Sequence, residues 1–161
     1  MINEQILYRG SLLWDGTSNK IIPDGCIVTE GKRIKTIFPY SVTDSNKQDY
    51  ARFYDFSGLT LMPGMIDCHT HHSLDASQEN YLDRMNDSIP ELVIRAAVLM
   101  KTDLKAGVTT CRTLGDKEYL DIACREAINN GLLEGPCSIV AGKGIRAAGA
   151  PGVVGYPYRG K

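Results

Sequence analysis

The alternation of element types from residue 59 onward is what most tightly constrains this chain's fold. Leu59 to Cys68 is a mostly apolar run broken by Pro63-Gly64, suited to a strand buried on both faces of a parallel sheet. Ser88-Ile89-Pro90-Glu91 opens a helix, with Ser88 and Glu91 at capping-box spacing and Pro90 in the first turn. Leu92, Ala96 and Leu99, beside Val93, Ala97, Met100 and Leu104, repeat at helical period, and Gly107 ends the stripe. The β-branched run Val108-Thr109-Thr110-Cys111 reads as a second strand. Asp116 is placed to cap a second helix with inner residues Leu120, Ala123, Cys124 and Ala127, ending at Gly131. Ser138-Ile139-Val140-Ala141 is a third strand. Strand, helix, strand, helix, strand implies right-handed crossovers and a parallel sheet.

The chain before Gly58 obeys a different grammar. Ile6-Leu7-Tyr8, Ile21-Ile22, Cys26 to Thr29, Arg33 to Ile37 and Arg52 to Phe56 are short strands. They are separated by the turns Asp15-Gly16, Pro23-Asp24-Gly25 and Glu30-Gly31-Lys32 and by a polar loop over 41–50. Residues 1–58 are therefore expected to be part of a small β-domain, and 59–161 the first part of an α/β domain. A barrel of eight βα units needs about 250 residues, so 161 cannot close one. From Gly142 the sequence turns glycine- and proline-rich and reads as an interrupted loop.

Composition narrows the partners. With 18 basic against 19 acidic residues and a net charge of −1, nothing favours nucleic acid or an anionic membrane. No apolar run is long enough to span a bilayer, and Met1 to Arg9 lacks the pattern of a secretory signal. Five cysteines without a C-x-x-C pair read as reduced thiols, so the expected location is cytoplasmic.

The three histidines fall within four positions, His69, His71 and His72. Strand alternation gives Met65, Asp67, His69 and His71 one face. Two imidazoles at i and i+2 can then reach one cation at about 2.0–2.1 Å per nitrogen, at a strand end where ligands collect in α/β folds. His69 and His71 are the candidate metal ligands; His72 points off their face, towards a supporting role. Arg112, near the end of the second strand, is a candidate for bidentate contact with a substrate carboxylate. A structural ion pair is the competing reading. Lys143 and Arg146 invite the same two readings.

The run Gly58-Leu-Thr-Leu-Met-Pro-Gly-Met-Ile-Asp-Cys-His-Thr-His resembles the first barrel strand of the amidohydrolase superfamily. Ala106-Gly-Val-Thr-Thr-Cys-Arg-Thr-Leu-Gly and Ile128-Asn-Asn-Gly-Leu-Leu-Glu-Gly-Pro are similar to its imidazolonepropionase-like and Xaa-Pro-dipeptidase-like members. The resemblance implies a partial TIM-type (β/α)8 barrel of about three βα units, after part of a small β-sandwich domain. It further implies a divalent metal, zinc in most members, that activates water against a C–N bond of a small amide or dipeptide-like substrate. His69 and His71 match the first-strand ligands, and Asp67 the motif aspartate, which is structural in the family. The other ligands come from later strands, so the 161-residue chain is expected to be inactive alone. Where relatives carry a histidine-bearing loop after the third strand, this sequence reads Arg146-Ala-Ala-Gly-Ala-Pro-Gly. The alternative is a non-catalytic relic, or a half-barrel that works by self-association through its open edge.

Overall fold

The computed structural model describes residues 4–40, 50–75 and 87–145. It divides into two compact units, 1–63 and 64–161.

The first unit is a five-stranded sheet of β1 (Gln5–Trp14), β2 (Ile21–Pro23), β3 (Gly25–Glu30), β4 (Arg33–Pro39) and β5 (Arg52–Leu61). The order is β2-β1-β3-β4, all antiparallel, while β5 joins β1 in parallel. Alternation along β1 separates its faces: Leu7 is buried with Cys26 and Val28 against Phe38, Tyr40, Tyr50 and Phe53. Tyr8, one residue on, instead stacks on its register partner Tyr54 at 5.4 Å between ring centroids.

The second unit holds the parallel sheet, in the order β6 (Met65–Thr70), β7 (Val108–Thr113), β8 (Cys137–Ile139). Helix α1 (Ile89–Lys105) connects β6 to β7; α2 (Leu120–Asn129), after a 3-10 turn at Lys117–Tyr119, connects β7 to β8. Leu92, Ala96 and Met100 of α1 meet Leu120 and Cys124 of α2 in one apolar cluster. Burying each large side chain is worth about 1.5–3 kcal/mol, so this cluster carries most of the helix attachment. No helix among the described residues is long and apolar enough to cross a membrane.

Four expectations change. The run 59–68 is not one strand: its first residues finish β5, and β6 starts anew at Met65. Nor is β6 buried on both faces, since it is an outer strand with Ile66 67% exposed. The division of the chain accordingly falls at Pro63/Gly64 and not at Gly58. Gly64 is required there by close approach, because a Cβ would stand 2.1 Å from Thr109 Oγ1 of β7. Finally, Asp116 does not cap α2. That helix starts from Tyr119 in a left-handed conformation, and the Asp116 carboxylate is engaged elsewhere.

Candidate metal centre

His69 is the penultimate residue of β6, and His71 follows the strand directly. Their rings lie 5.6 Å apart between centroids, inclined at 68°. Simple alternation does not produce this arrangement. Asp67 is in register with Cys111 and Thr70 with Thr113, so three steps along β6 match two along β7. Such a bulge re-aims the side chains after it. Cross-strand partners share a face, so Asp67 joins Cys111 on the helix side, where it meets the field of Asp103 in α1. The expectation that Asp67 shares the histidines' face is thereby corrected. Its Oδ1 accepts the His69 main-chain N–H at 2.9 Å, pinning the bulge.

His71 Nδ1 lies 2.6 Å from the carbonyl oxygen of Gly115. A carbonyl can only accept, so Nδ1 is the donor, and in the neutral ring Nε2 then keeps its lone pair. This is the state in which a histidine ligates a metal, with the other ring nitrogen held by an outer acceptor. His72, by contrast, is buried and its ring stays out of the pair. Burial pushes its imidazole below the ordinary histidine range, against the pull of Asp116, Asp121 and Asp103.

Arg112 is exposed on β7, and its Nε donates to the Cys68 carbonyl at 3.1 Å. Lys143 is drawn away from open solvent: its Nζ is 3.2 Å from a Glu118 carboxylate oxygen and 4.9 Å from the Tyr119 ring centroid. Arg146 lies outside the described residues. Among the described residues, no group of three or more histidine, cysteine or acidic side chains is arranged to hold a metal. Two imidazoles would fill two of the four positions of a tetrahedral metal site. All five cysteines are free thiols; Cys26, Cys111 and Cys124 are buried, and Cys68 and Cys137 are exposed.

The sequence reading missed the residues that hold the strand ends together. Asp116 accepts from the main-chain N–H groups of His72 (2.8 Å) and Ser73 (3.2 Å) and from the Ser73 hydroxyl (2.5 Å). Asp121 accepts from Thr113 Oγ1 (2.8 Å) and from the N–H groups of Ala141 (3.2 Å) and Gly142 (2.8 Å). No local spacing announces contacts this distant in sequence.

A similar fold occurs in known hydrolases. A solved Xaa-Pro dipeptidase with bound methionine in its active site superposes with a TM-score of 0.74 at 29% identity, over 87% of this chain and 34% of that one. An imidazolonepropionase of Pseudomonas aeruginosa is 33% identical over 82 residues, 51% of this chain and 20% of that protein. Over the part that it covers, the chain is similar in sequence and fold to members of the amidohydrolase superfamily. A second imidazolonepropionase, from Erwinia tasmaniensis, extends the amidohydrolase match to 130 residues at 28% identity, 80% of this chain and 31% of that protein. The sequence thus spans about a third or less of the amidohydrolases it matches. No protein-family model matches it.

Proposed function

We propose that this chain supplies the first metal-ligating strand of a hydrolase that cleaves a C–N bond in a small amide or dipeptide-like substrate. The observation that carries the reading is the His69–His71 pair, with the His71 Nδ1–H donated to Gly115 and Nε2 left as a ligand. The names of the relatives support the substrate class. They include imidazolonepropionases and a prolidase solved with N-methylphosphonate-L-proline, which is 26% identical with a TM-score of 0.68. His69 and His71 would hold a divalent ion, zinc by preference, from one side of the site, and such an ion would supply a water of pKa near 7 and polarise the scissile carbonyl. Arg112, its guanidinium plane oriented by the Nε bond to Cys68, turns its two terminal nitrogens to a substrate carboxylate. The free thiols suit a reducing cytoplasm.

Two imidazoles are too few to fix a catalytic ion, so the 161-residue polypeptide is expected to bind zinc without turnover. Calorimetric titration with zinc should show binding to the chain that His71→Ala abolishes, and assays with Xaa-Pro dipeptides should stay at background. Absence of zinc binding would refute the ligand assignment, and zinc-dependent hydrolysis by this polypeptide alone would refute its inactivity.

A second reading is favoured by the exposed apolar residues on the outer strands, Ile66 at 67% on β6 and Ile139 at 59% on β8. Here the chain works only in association with another polypeptide that covers those edges. Light scattering after size exclusion decides it: a sharp monomer peak rejects association of the chain with itself.

A further inference from the structure

Beyond Thr70 and Thr113 the ladder between β6 and β7 does not stop; it continues through three consecutive residues of the following loop. Leu114 N–H donates to the Thr70 carbonyl at 3.0 Å. The Gly115 carbonyl accepts from His71 Nδ1 at 2.6 Å. The Asp116 carboxylate accepts from His72 N–H, Ser73 N–H and Ser73 Oγ–H. Residues 114, 115 and 116 thus grip 70, 71 and 72–73 in turn.

The grip is itself anchored. Asp116 is 1% exposed, and its own N–H donates to the Gly142 carbonyl at 2.8 Å. Gly115 is buried at φ +115°, and a Cβ there would fall 2.4 Å from the Gly144 nitrogen. The Gly115 carbonyl is therefore locked between β7 and the chain after β8. His71 is locked on its other side, because the residues after it hang from Asp116. Of the contacts that bring the two together, only the Asp116 carboxylate reaches across as a charged, fully buried acceptor with three donors.

We propose that Asp116 is a positioning residue for His71: by holding the 72–73 backbone it keeps the His71 ring against the Gly115 carbonyl, and so fixes which ring nitrogen faces the metal. The metal part of this statement rests on the functional reading above; the tautomer part does not.

The test uses the full chain labelled with 15N, without metal, and reads the His71 ring by long-range 1H–15N correlation. At a pH where the ring is neutral, the wild type should show a protonated Nδ1 and an unprotonated Nε2. Asp116→Ala should lose that signature for a mixture of tautomers, and its zinc affinity should fall about 10–100-fold, the usual loss when an outer partner of a ligand is removed. Asp116→Asn, which retains an acceptor oxygen, should recover part of both. Thr113→Val breaks the neighbouring bond to Asp121 and should lower the melting temperature while leaving the His71 signature intact. If Asp116→Ala does not fold, Asp116→Asn and Ser73→Ala carry the same comparison.

A wild-type His71 signature in the folded Asp116 variants would overturn the proposal. So would an equal change in Thr113→Val, which would mean general loosening. If the tautomer depends on Asp116 but the wild type takes up no zinc, the positioning role stands and the metal reading falls.

Discussion

Between the parallel sheet and its helices the buried residues are Leu92, Ala96, Met100, Leu120 and Cys124. At the carboxyl ends of the same strands they are His72, Ser73, Thr113, Asp116 and Asp121. The apolar layer is non-directional and accepts substitutions of similar volume at small cost. The polar end is held by geometry: each carboxylate accepts several short hydrogen bonds, and removing one partner leaves the others buried without compensation. The difference places the geometrically specific part of the unit at the strand ends that carry His69 and His71, which is the end at which α/β folds assemble ligands. It also assigns the two carboxylates separate tasks. Asp116 ties β7's loop to the turn after β6, and Asp121 ties the end of β7 to the chain after β8.

The comparison breaks most directly by cutting once in each layer. Asp121→Ala removes the acceptor for the Thr113 hydroxyl and the Ala141 and Gly142 N–H groups. Stranding these donors should cost roughly 4 kcal/mol. Met100→Ala opens a cavity in the apolar cluster and should cost about 3 kcal/mol, part of it recovered by collapse of flexible neighbours. Urea unfolding of both variants reads the two midpoints. A larger loss for Met100→Ala would show that the polar end contributes less to stability than its burial suggests.

A smaller effect sharpens the border between the layers. Cys124 belongs to the apolar cluster but senses the carboxylates beyond it; burial first, then repulsion from Asp116 and Asp121, pushes its thiol up to about 11. At pH 8 it should alkylate far more slowly than the exposed Cys68 and Cys137, as mass spectrometry of iodoacetamide-treated chain would show. Asp121→Asn should bring only a slight acceleration, because desolvation is the main cause. A large acceleration would mean that the charged end, and not the apolar layer, controls this thiol.

What the sequence made legible follows the same border. The apolar stripe gave α1 its buried face: of the residues in it Leu92, Ala96 and Met100 are buried, Ala97 and Leu99 half-buried, and Val93 and Leu104 exposed. The strand-helix alternation likewise carried over to the parallel sheet. Both are local periodicities, and periodicity survives in a linear string. For α2 the same rule chose Ala123, which is exposed, and passed over Asp121, which is fully buried. An acidic residue reads as solvent-facing unless its partners are known, and those partners lie on β7 and after β8. Asp116 failed in the same way. At a cap-like position it read as a helix start, because its true partners lie 43 and 44 residues away in the chain. The bulge that separates Asp67 from the histidines was hidden too, since two strands must be paired before a mismatch in their step count exists.

The smallest effect expected comes from a carboxylate whose role is wholly local. Glu91 accepts from the Ser88 N–H at 2.8 Å and the Ser88 hydroxyl at 2.7 Å, closing the box at the start of α1. These bonds hold its carboxyl below the usual value of 4.5. A depressed folded pKa means that the ionised form is favoured by folding. Its contribution is therefore complete above the unfolded pKa and is lost as pH falls through the folded one. Melting temperatures of the wild type and Glu91→Gln should differ slightly at pH 7, and the gap should close as pH falls below the ordinary carboxyl range and through the lowered folded value. Glu91 is exposed and its partner is three residues away, so it should leave the His71 ring signature untouched, in contrast to the buried Asp116 at the other end of the same unit. A change at His71 in Glu91→Gln would mean that the helix start and the strand ends are coupled, and that the polar end is not held by its own carboxylates alone.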